Sequence, residues 1–172
     1  MKLKINDDDG FIGLLNAATY KSFVDDDWQF DQLMTHFVDQ MNVGNIIIWQ
    51  TNNSDGGNWL LSFQEQPSGI SPFRQFDQFI NVTVGELFLT NYSDLTMAAQ
   101  FSDVSIPEAH NADLKIELEN GWYKITVRQL FDPDNDLQYF DNETGENVSF
   151  EIIITPSFES VRQNVSNVYW HS

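Results

Sequence analysis

The acidic residues of one short stretch are spaced as in a calcium-binding loop. Asp132, Asp134 and Asp136 alternate with other residues, and Glu143 follows further along the chain. These spacings match positions 1, 3, 5 and 12 of an EF-hand, whose oxygen atoms coordinate Ca²⁺. Leu137 stands where an EF-hand needs glycine, and the flanking segments alternate like strands rather than helices. The pattern favours an exposed acidic loop between two strands, with a Ca²⁺ site as the alternative.

No complete catalytic signature accompanies these acids. The histidines are His36, His110 and His171, and no motif pairs any of them with a nucleophile. The chain has no cysteine, which excludes disulfides, thiolate metal sites and cysteine nucleophiles. The sequence therefore predicts a protein that is not an enzyme and that needs no cofactor or metal.

The chain carries a large excess of negative charge. It has 26 acidic and 8 basic side chains, which give a formal net charge of -18. Nucleic-acid binding requires basic residues that neutralise phosphates, and an anionic membrane surface would repel this protein. The charge balance thus argues against nucleic-acid and membrane partners. It favours a basic protein partner, which electrostatic attraction would steer towards the chain.

The acids are also segregated along the sequence. No Lys or Arg occurs between Lys21 and Arg74, or between Arg128 and Arg162. We predict that acids from these two stretches bind the basic partner; the alternative is solvated acidic loops that never meet in space. The candidate partner-binding residues are Asp25, Asp26, Asp27, Asp31, Asp132, Asp134, Asp136, Asp141 and Glu143.

One amphipathic helix must position the first group of acids. Apolar residues at the spacing of a single helix face predict a helix over Asp27–Asn42. Asp25, Asp26 and Asp27 stand at its start, where carboxylates can cap free N–H groups and interact with the positive end of the helix dipole. Gly44 lies just beyond the predicted end, as expected for a C-terminal glycine.

Alternating and apolar segments predict the strands. Asn45–Gln50 and Asn58–Phe63 flank a turn-rich segment and predict a hairpin. Asn120-Gly121 predicts a second, tighter hairpin between neighbouring alternating segments. Thr96–Phe101 predicts a further strand, and Val148–Ile154 predicts a last one that Pro156 stops.

These elements predict one globular domain over residues 1–172. The fold class is mainly β (α+β): an antiparallel β-sandwich or rolled sheet with one prominent amphipathic helix. No apolar stretch approaches the about 20 residues of a membrane-spanning helix, and no apolar segment follows the N-terminal lysines as in a signal peptide. The sequence therefore predicts a cytoplasmic protein.

The tryptophans support a second functional hypothesis. Trp49 and Trp59 flank the same predicted hairpin loop. Exposed aromatic rings stack on sugars, and pairs of carboxylates hydrolyse glycosidic bonds. A carbohydrate-binding or hydrolysing β-domain is therefore an alternative, although ordinary core packing of both rings is the simpler interpretation. A structural or assembly protein without a small ligand is a third hypothesis.

The segment 113–127 resembles a recurring element of small bacterial β-proteins: a strand, a turn with Gly before an aromatic residue, and a second strand. The order of helix, apolar strand, hairpin and Gly-aromatic strand is similar to that of the competence nuclease-inhibitor family, of the competence protein J type. In that family an acidic protein inhibits a DNA-cleaving enzyme. This chain departs from the family by an acidic insertion at Asp132–Asn147 and by a longer tail. The resemblance implies an inhibitor or immunity protein that neutralises a nuclease or toxin; it assigns no functional residue.

Overall fold

The computed structural model describes residues 1–53, 56–136, 146–158 and 163–172. These residues form nine strands, two α-helices and a short 3-10 helix at Ala109–Asn111, so the mainly β (α+β) prediction is confirmed. Neither α-helix of the described chain has the length and apolarity needed to cross a membrane. The elements are β1 (Lys2–Asp7), β2 (Phe11–Leu15), α1 (Phe30–Asn42), β3 (Ile46–Gln50), β4 (Gly57–Gln64), β5 (Arg74–Val82), β6 (Glu86–Asn91), α2 (Tyr92–Gln100), β7 (Lys115–Glu117), β8 (Gly121–Gln129) and β9 (Val148–Ser157).

The strands form two sheets that share an apolar core. A five-stranded sheet has the order β1-β4-β9-β8-β5, and a four-stranded sheet has the order β3-β2-β6-β7. Among the described strands β4 and β9 pair in parallel, and the other pairs are antiparallel. Trp49, Trp59 and Phe150 are fully buried in the core that both sheets line. The predicted sandwich is present, with one parallel pair that the sequence did not indicate.

The four-stranded sheet is covered on both faces. Ile47 and Trp49 of β3 belong to the core shared with the five-stranded sheet. Ile46 and Ile48 belong to a second core, which contains apolar side chains of α1 and α2. Successive side chains of a strand point to opposite faces, so a continuous apolar run suits a strand that is buried on both sides. The molecule therefore has three layers: a sheet, a sheet and a pair of helices.

The first helix begins later than its periodicity predicts. It spans Phe30–Asn42, and its N-cap is Gln29, whose backbone N–H donates to Oε1 of Gln32 at 3.3 Å. Asp25–Asp27 are therefore an exposed segment before the helix rather than its cap. Gly44 has a φ of 78° and follows the helix end as predicted, because this backbone conformation favours glycine.

Both predicted hairpins are wrong. β3 pairs with β2, whereas β4 pairs with β1 and β9, so the turn-rich segment between β3 and β4 crosses from one sheet to the other. Likewise β7 pairs with β6, whereas β8 pairs with β5 and β9. Turn residues allow a chain reversal, but the pairing of the flanking strands depends on which layer buries each of them.

The predicted strand at Thr96–Phe101 is also wrong. All of this segment except Phe101 belongs to α2, which begins after Asn91. The Asn91 side chain accepts a hydrogen bond from the Asp94 backbone N–H at 2.9 Å. An asparagine at this position is a helix-start signal that the sequence does carry. The buried residues of the helix are Asp94, Leu95, Ala98 and Ala99.

The last strand continues through Pro156 instead of stopping before it. β4 pairs with β9 only as far as Ile153, so the end of β9 has a neighbour on one side alone. Proline cannot donate a backbone hydrogen bond, and an unpaired strand edge accommodates it. A proline predicts a strand end in the sequence because the sequence does not show which strand edge is unpaired.

We predict that Phe150→Ala lowers the free energy of unfolding by about 3–5 kcal/mol, because it leaves a cavity between Trp49 and Trp59. Phe158→Ala is the matched control: Phe158 is 100% exposed, whereas Phe150 is 0% exposed. Phe158→Ala should change the free energy of unfolding by no more than about 0.5 kcal/mol. Urea unfolding followed by tryptophan fluorescence measures both values. Equal effects of the two substitutions would contradict this assignment of the core.

Candidate acidic interaction surface

Several loops meet around the end of β3 at Gln50. The backbone N–H of Thr51 donates to the carbonyl oxygen of Gly10 at 2.8 Å, which brings the β1–β2 turn to this point. At Gly56 the φ is 78°, and a Cβ atom would lie 1.9 Å from the carbonyl oxygen of Asp7. Glycine is therefore required for the β3–β4 segment to pack on the β1–β2 turn. The exposed acids of that turn are Asp8 and Asp9.

The start of α1 lies at the same place. Nδ1 of His171 is 3.3 Å from Oε1 of Gln50. The His171 ring centroid lies 5.5 Å from that of Phe11 and 5.7 Å from that of Phe30. Phe30 is the first residue of α1, and the exposed Asp31 follows it directly. The ring contacts of His171 therefore bring the first residue of α1, and the backbone of Asp31 beside it, towards the end of β3.

The segment after β8 forms a tight acidic turn. The Asp132 carboxylate accepts hydrogen bonds from the Asp134 backbone N–H at 3.0 Å and from the Asn135 side-chain amide at 2.6 Å. Oδ2 of Asp136 accepts from the Asp132 backbone N–H at 3.2 Å. The Asp134 carboxylate accepts from the backbone N–H of Asn53 at 3.1 Å, which holds the turn beside the end of β3. A strand leads into this turn, as the acidic-loop interpretation predicts and an EF-hand does not.

Part of the predicted acidic set thus comes together in space. Four of its members join two acids of the β1–β2 turn around the end of β3. We name this surface the acidic end. Its residues are Asp8, Asp9, Asp31, Asp132, Asp134 and Asp136. Asp8 and Asp9 were not predicted, although the acidic run in the sequence is their signal, because only the tertiary contacts show what lies beside them.

The other predicted acids are placed elsewhere or fall outside the described residues. The backbone N–H of Asp25 donates to the carbonyl oxygen of Ala99 at 3.1 Å, beside the C-terminal end of α2. Asp26 lines a shallow hollow with the residues that follow α2. Asp27 is exposed, and its backbone N–H donates to Oδ1 of Asp25 at 3.0 Å. The predicted residues outside the described ranges are Asp141 and Glu143.

A basic residue, Arg74, lies against the acidic end. Its guanidinium donates to the carbonyl oxygens of Gln50 at 3.1 Å and Thr51 at 3.3 Å. Burial lowers the pKa of Arg74, whereas the negative charges of Asp132 and Asp134 act in the opposite direction. Because Arg74 holds the protein's own carbonyl groups, it fastens the end of β3 and offsets only part of the surrounding negative charge.

One acid of the second basic-free stretch is not on the surface at all. Glu151 is 4% exposed and forms an ion pair with the buried Arg128. Its Oε2 also accepts from the Ser68 backbone N–H at 3.4 Å. A buried carboxylate needs such partners, since an unpaired one is costly in the interior. Segregation along the sequence therefore overstates the number of acids available to a partner.

The tryptophan pair does not form an exposed platform. Trp49 and Trp59 are both 0% exposed, and their ring centroids lie 5.8 and 5.6 Å from that of Phe150. Core packing of these rings is confirmed. They are therefore inaccessible to a sugar.

Asp7 lies buried beneath the acidic end. It is 1% exposed, and its Oδ1 accepts from the Asp9 backbone N–H at 3.2 Å. Burial raises the pKa of Asp7 to about 6, although backbone hydrogen bonds from Asp9, Phe11 and Gly10 act to lower it. An ionised Asp7 at neutral pH therefore costs stability at the point where the other acids gather.

The fold is that of a β-sandwich found in solved inhibitor and biosynthetic proteins. No protein-family model matches the sequence, and no curated protein matches it. The structure of the crocagin biosynthetic gene J protein is similar to this fold. The TM-score is 0.59 and the identity 9%, over 90% of this chain and 95% of that chain. A second similar structure is that of ComJ from Bacillus subtilis, which is described as an inhibitor of the DNA-degrading activity of NucA. The TM-score is 0.50 and the identity 11%, over 91% of this chain and 96% of that chain. The predicted resemblance to the competence inhibitor type is confirmed for the fold.

We predict that Asp7→Asn stabilises the protein at pH 7 by up to about 3 kcal/mol, given about 1.4 kcal/mol for each pKa unit. The native carboxyl binds its proton more tightly than the unfolded one, because its pKa rises from 3.8 to about 6. Wild-type stability should therefore fall as pH rises from about 4 to about 6, and the variant should lack this fall.

Chemical unfolding at pH 4, 5, 6 and 7 measures the effect. Asp8→Asn is the control, since it removes the same charge from the exposed neighbour. If Asp7→Asn and Asp8→Asn gain the same stability at every pH, the gain comes from relief of surface repulsion. That result would contradict a cost caused by burial of Asp7.

Proposed function

We propose that this chain binds and neutralises a basic protein, either a nuclease or a nuclease-type toxin. The acidic end carries the proposal: three segments that carry six acidic residues meet around the end of β3, and the guanidinium of Arg74 donates to backbone carbonyls there. Mutual repulsion of these charges costs stability, and a basic partner would relieve it. Clustered carboxylates also present negative charge to a surface built to bind phosphates.

The similarity to ComJ supports this proposal at the level of the fold. ComJ is described as inhibiting a DNA-degrading activity, and its fold resembles that of this chain along most of both chains. Sequence identity this low leaves no contact residues to carry over. The proposal therefore depends on the residues of this chain, and the partner-binding acids remain the predicted set together with Asp8 and Asp9.

The acids of this surface differ in how freely they can contact a partner. Asp132 and Asp134 are partly buried and hold the acidic turn together through their carboxylates. Asp8, Asp9, Asp31 and Asp136 are exposed. Oδ2 of Asp136 also accepts from the Asp132 backbone N–H, and an asparagine at this position keeps an oxygen acceptor for that bond. Variants that test binding should therefore change the exposed acids and leave the two structural ones in place.

We predict that the protein captures a basic partner from an extract. Immobilised wild-type protein, exposed at low salt to an extract of the organism that encodes it, should retain a basic protein with DNA-cleaving activity. A salt gradient should release that protein, because ions screen the attraction between the surfaces. DNA cleavage by the eluted fraction should fall when free wild-type protein is added back.

Charge substitutions then test the surface. The variant Asp8→Asn/Asp9→Asn/Asp31→Asn/Asp136→Asn should inhibit the eluted activity about 10- to 100-fold less well, because it loses charge complementarity and steering. The control Glu65→Gln/Asp113→Asn/Glu117→Gln/Glu119→Gln removes the same number of exposed negative charges elsewhere. It should stay within about twofold of wild type.

Thermal unfolding separates lost binding from lost structure. The acidic-end variant should unfold at the same temperature as wild type or higher, since it relieves repulsion. Equal inhibition by the two quadruple variants would overturn the role of the acidic end. An eluate without DNA-cleaving activity would overturn the nuclease class of the partner.

A further inference from the structure

Three side chains of types that can ligate a metal converge outside the acidic end. Asp94 lies in the first turn of α2, while Glu108 and His110 belong to the segment that forms the short 3-10 helix. One donor atom from each residue lies within 4.8 Å of the others. The group contains an imidazole nitrogen as well as two carboxylates, so its donors are mixed in kind. This is the donor set of a divalent transition-metal site rather than of a purely acidic cluster.

Asp94 is the buried and oriented member of the group. It is 3% exposed, and its Oδ2 accepts from the side-chain amide of Asn111 at 2.8 Å. Its other oxygen, Oδ1, lies 3.2 Å from Nε2 of His110. Its backbone N–H is held by the side chain of Asn91. A ligand carboxylate held by an outer hydrogen bond is the arrangement that orients metal ligands in proteins.

The charges of the group are incompletely balanced. Two carboxyl groups meet one imidazole, so acidic side chains outnumber the single basic one in the group. The carboxylate of Asp94 is removed from water, whereas the His110 side chain is 63% exposed. A divalent cation placed among the three donor atoms would complete the neutralisation of the buried carboxylate.

We propose that Asp94, Glu108 and His110 bind a divalent transition-metal ion, with Zn²⁺ the best match to one nitrogen and two oxygen donors. Zn²⁺ takes histidine nitrogen and carboxylate oxygen in tetrahedral sites, so three protein ligands leave one position for water or an external ligand. The exposed His110 and the partly exposed Glu108 provide the entry path from solvent. Asn111 is a positioning residue that acts through Asp94.

Metal titration of the full chain tests the site. Isothermal titration with Zn²⁺ alone should show one equivalent bound, and Co²⁺ should give the visible absorption bands of a low-coordinate nitrogen and oxygen site. Binding should also raise the unfolding temperature, because the ion binds only the folded state. His110→Ala and Glu108→Gln should each weaken Zn²⁺ binding by more than about tenfold and abolish the Co²⁺ bands.

The controls are His171→Ala and Glu119→Gln, which remove the same chemical groups from other parts of the described chain. Both should bind Zn²⁺ as wild type does. Unfolding temperatures without metal show whether each variant is folded; if His110→Ala fails to fold, Glu108→Gln alone decides.

Two results would overturn the site. The first is equal Zn²⁺ affinity of His110→Ala and His171→Ala, which would make Asp94 and His110 a structural ion pair only. The second is many weak equivalents of metal that about 0.5 M NaCl displaces, which would indicate general attraction to the acidic surface. None of these metal-binding measurements depends on inhibition of a nuclease. Failure of the metal site would therefore not contradict the proposed binding of a basic partner.

Discussion

Burial of β2 and β3 on both faces is the constraint on which the rest of the structure depends. Every residue of β2 is buried, and at Gly13 a Cβ atom would lie 2.5 Å from the carbonyl oxygen of Ile47, so the two backbones approach closely. Apolar side chains on both faces need two covering layers. The five-stranded sheet supplies one and the helices supply the other. This layering sends β3 and β4 to different sheets and fixes where β3 ends.

The end of β3 is also where negative charge accumulates, and the buried layers make that tolerable. Hydrogen bonds from Thr51, Asn53 and Arg74 hold three separate segments against this point. Asp7 lies buried beneath these acids, and its own burial raises its pKa. The inhibitor proposal rests on this local arrangement more than on the overall net charge.

Local sequence signals predicted the elements better than their arrangement. The spacing of apolar residues predicted α1, and the apolar run from Ile46 to Trp49 predicted β3, because each pattern follows from the element's own geometry. Asn120-Gly121 predicted a hairpin wrongly, since a reversal does not determine which sheet receives the next strand. α2 was missed because it is short and its helix-start signal is a single asparagine. For the candidate site, the sequence identified the acidic loop but not its neighbours.

The sequence by itself determined that this is a mainly β, strongly acidic chain with an amphipathic helix and an acidic turn after one of its strands. Composition, periodicity and charge are properties of residues and their near neighbours, so they are visible in one dimension. Only the tertiary structure decided that the β1–β2 turn, the start of α1 and the turn with Asp134 meet near the end of β3, that Glu151 is buried in an ion pair, and that Asp94 meets His110. Each of these arrangements joins residues that are separated in sequence. Glu151 meets Arg128 through the register of β8 and β9, and the others depend on segments that the folded chain brings together.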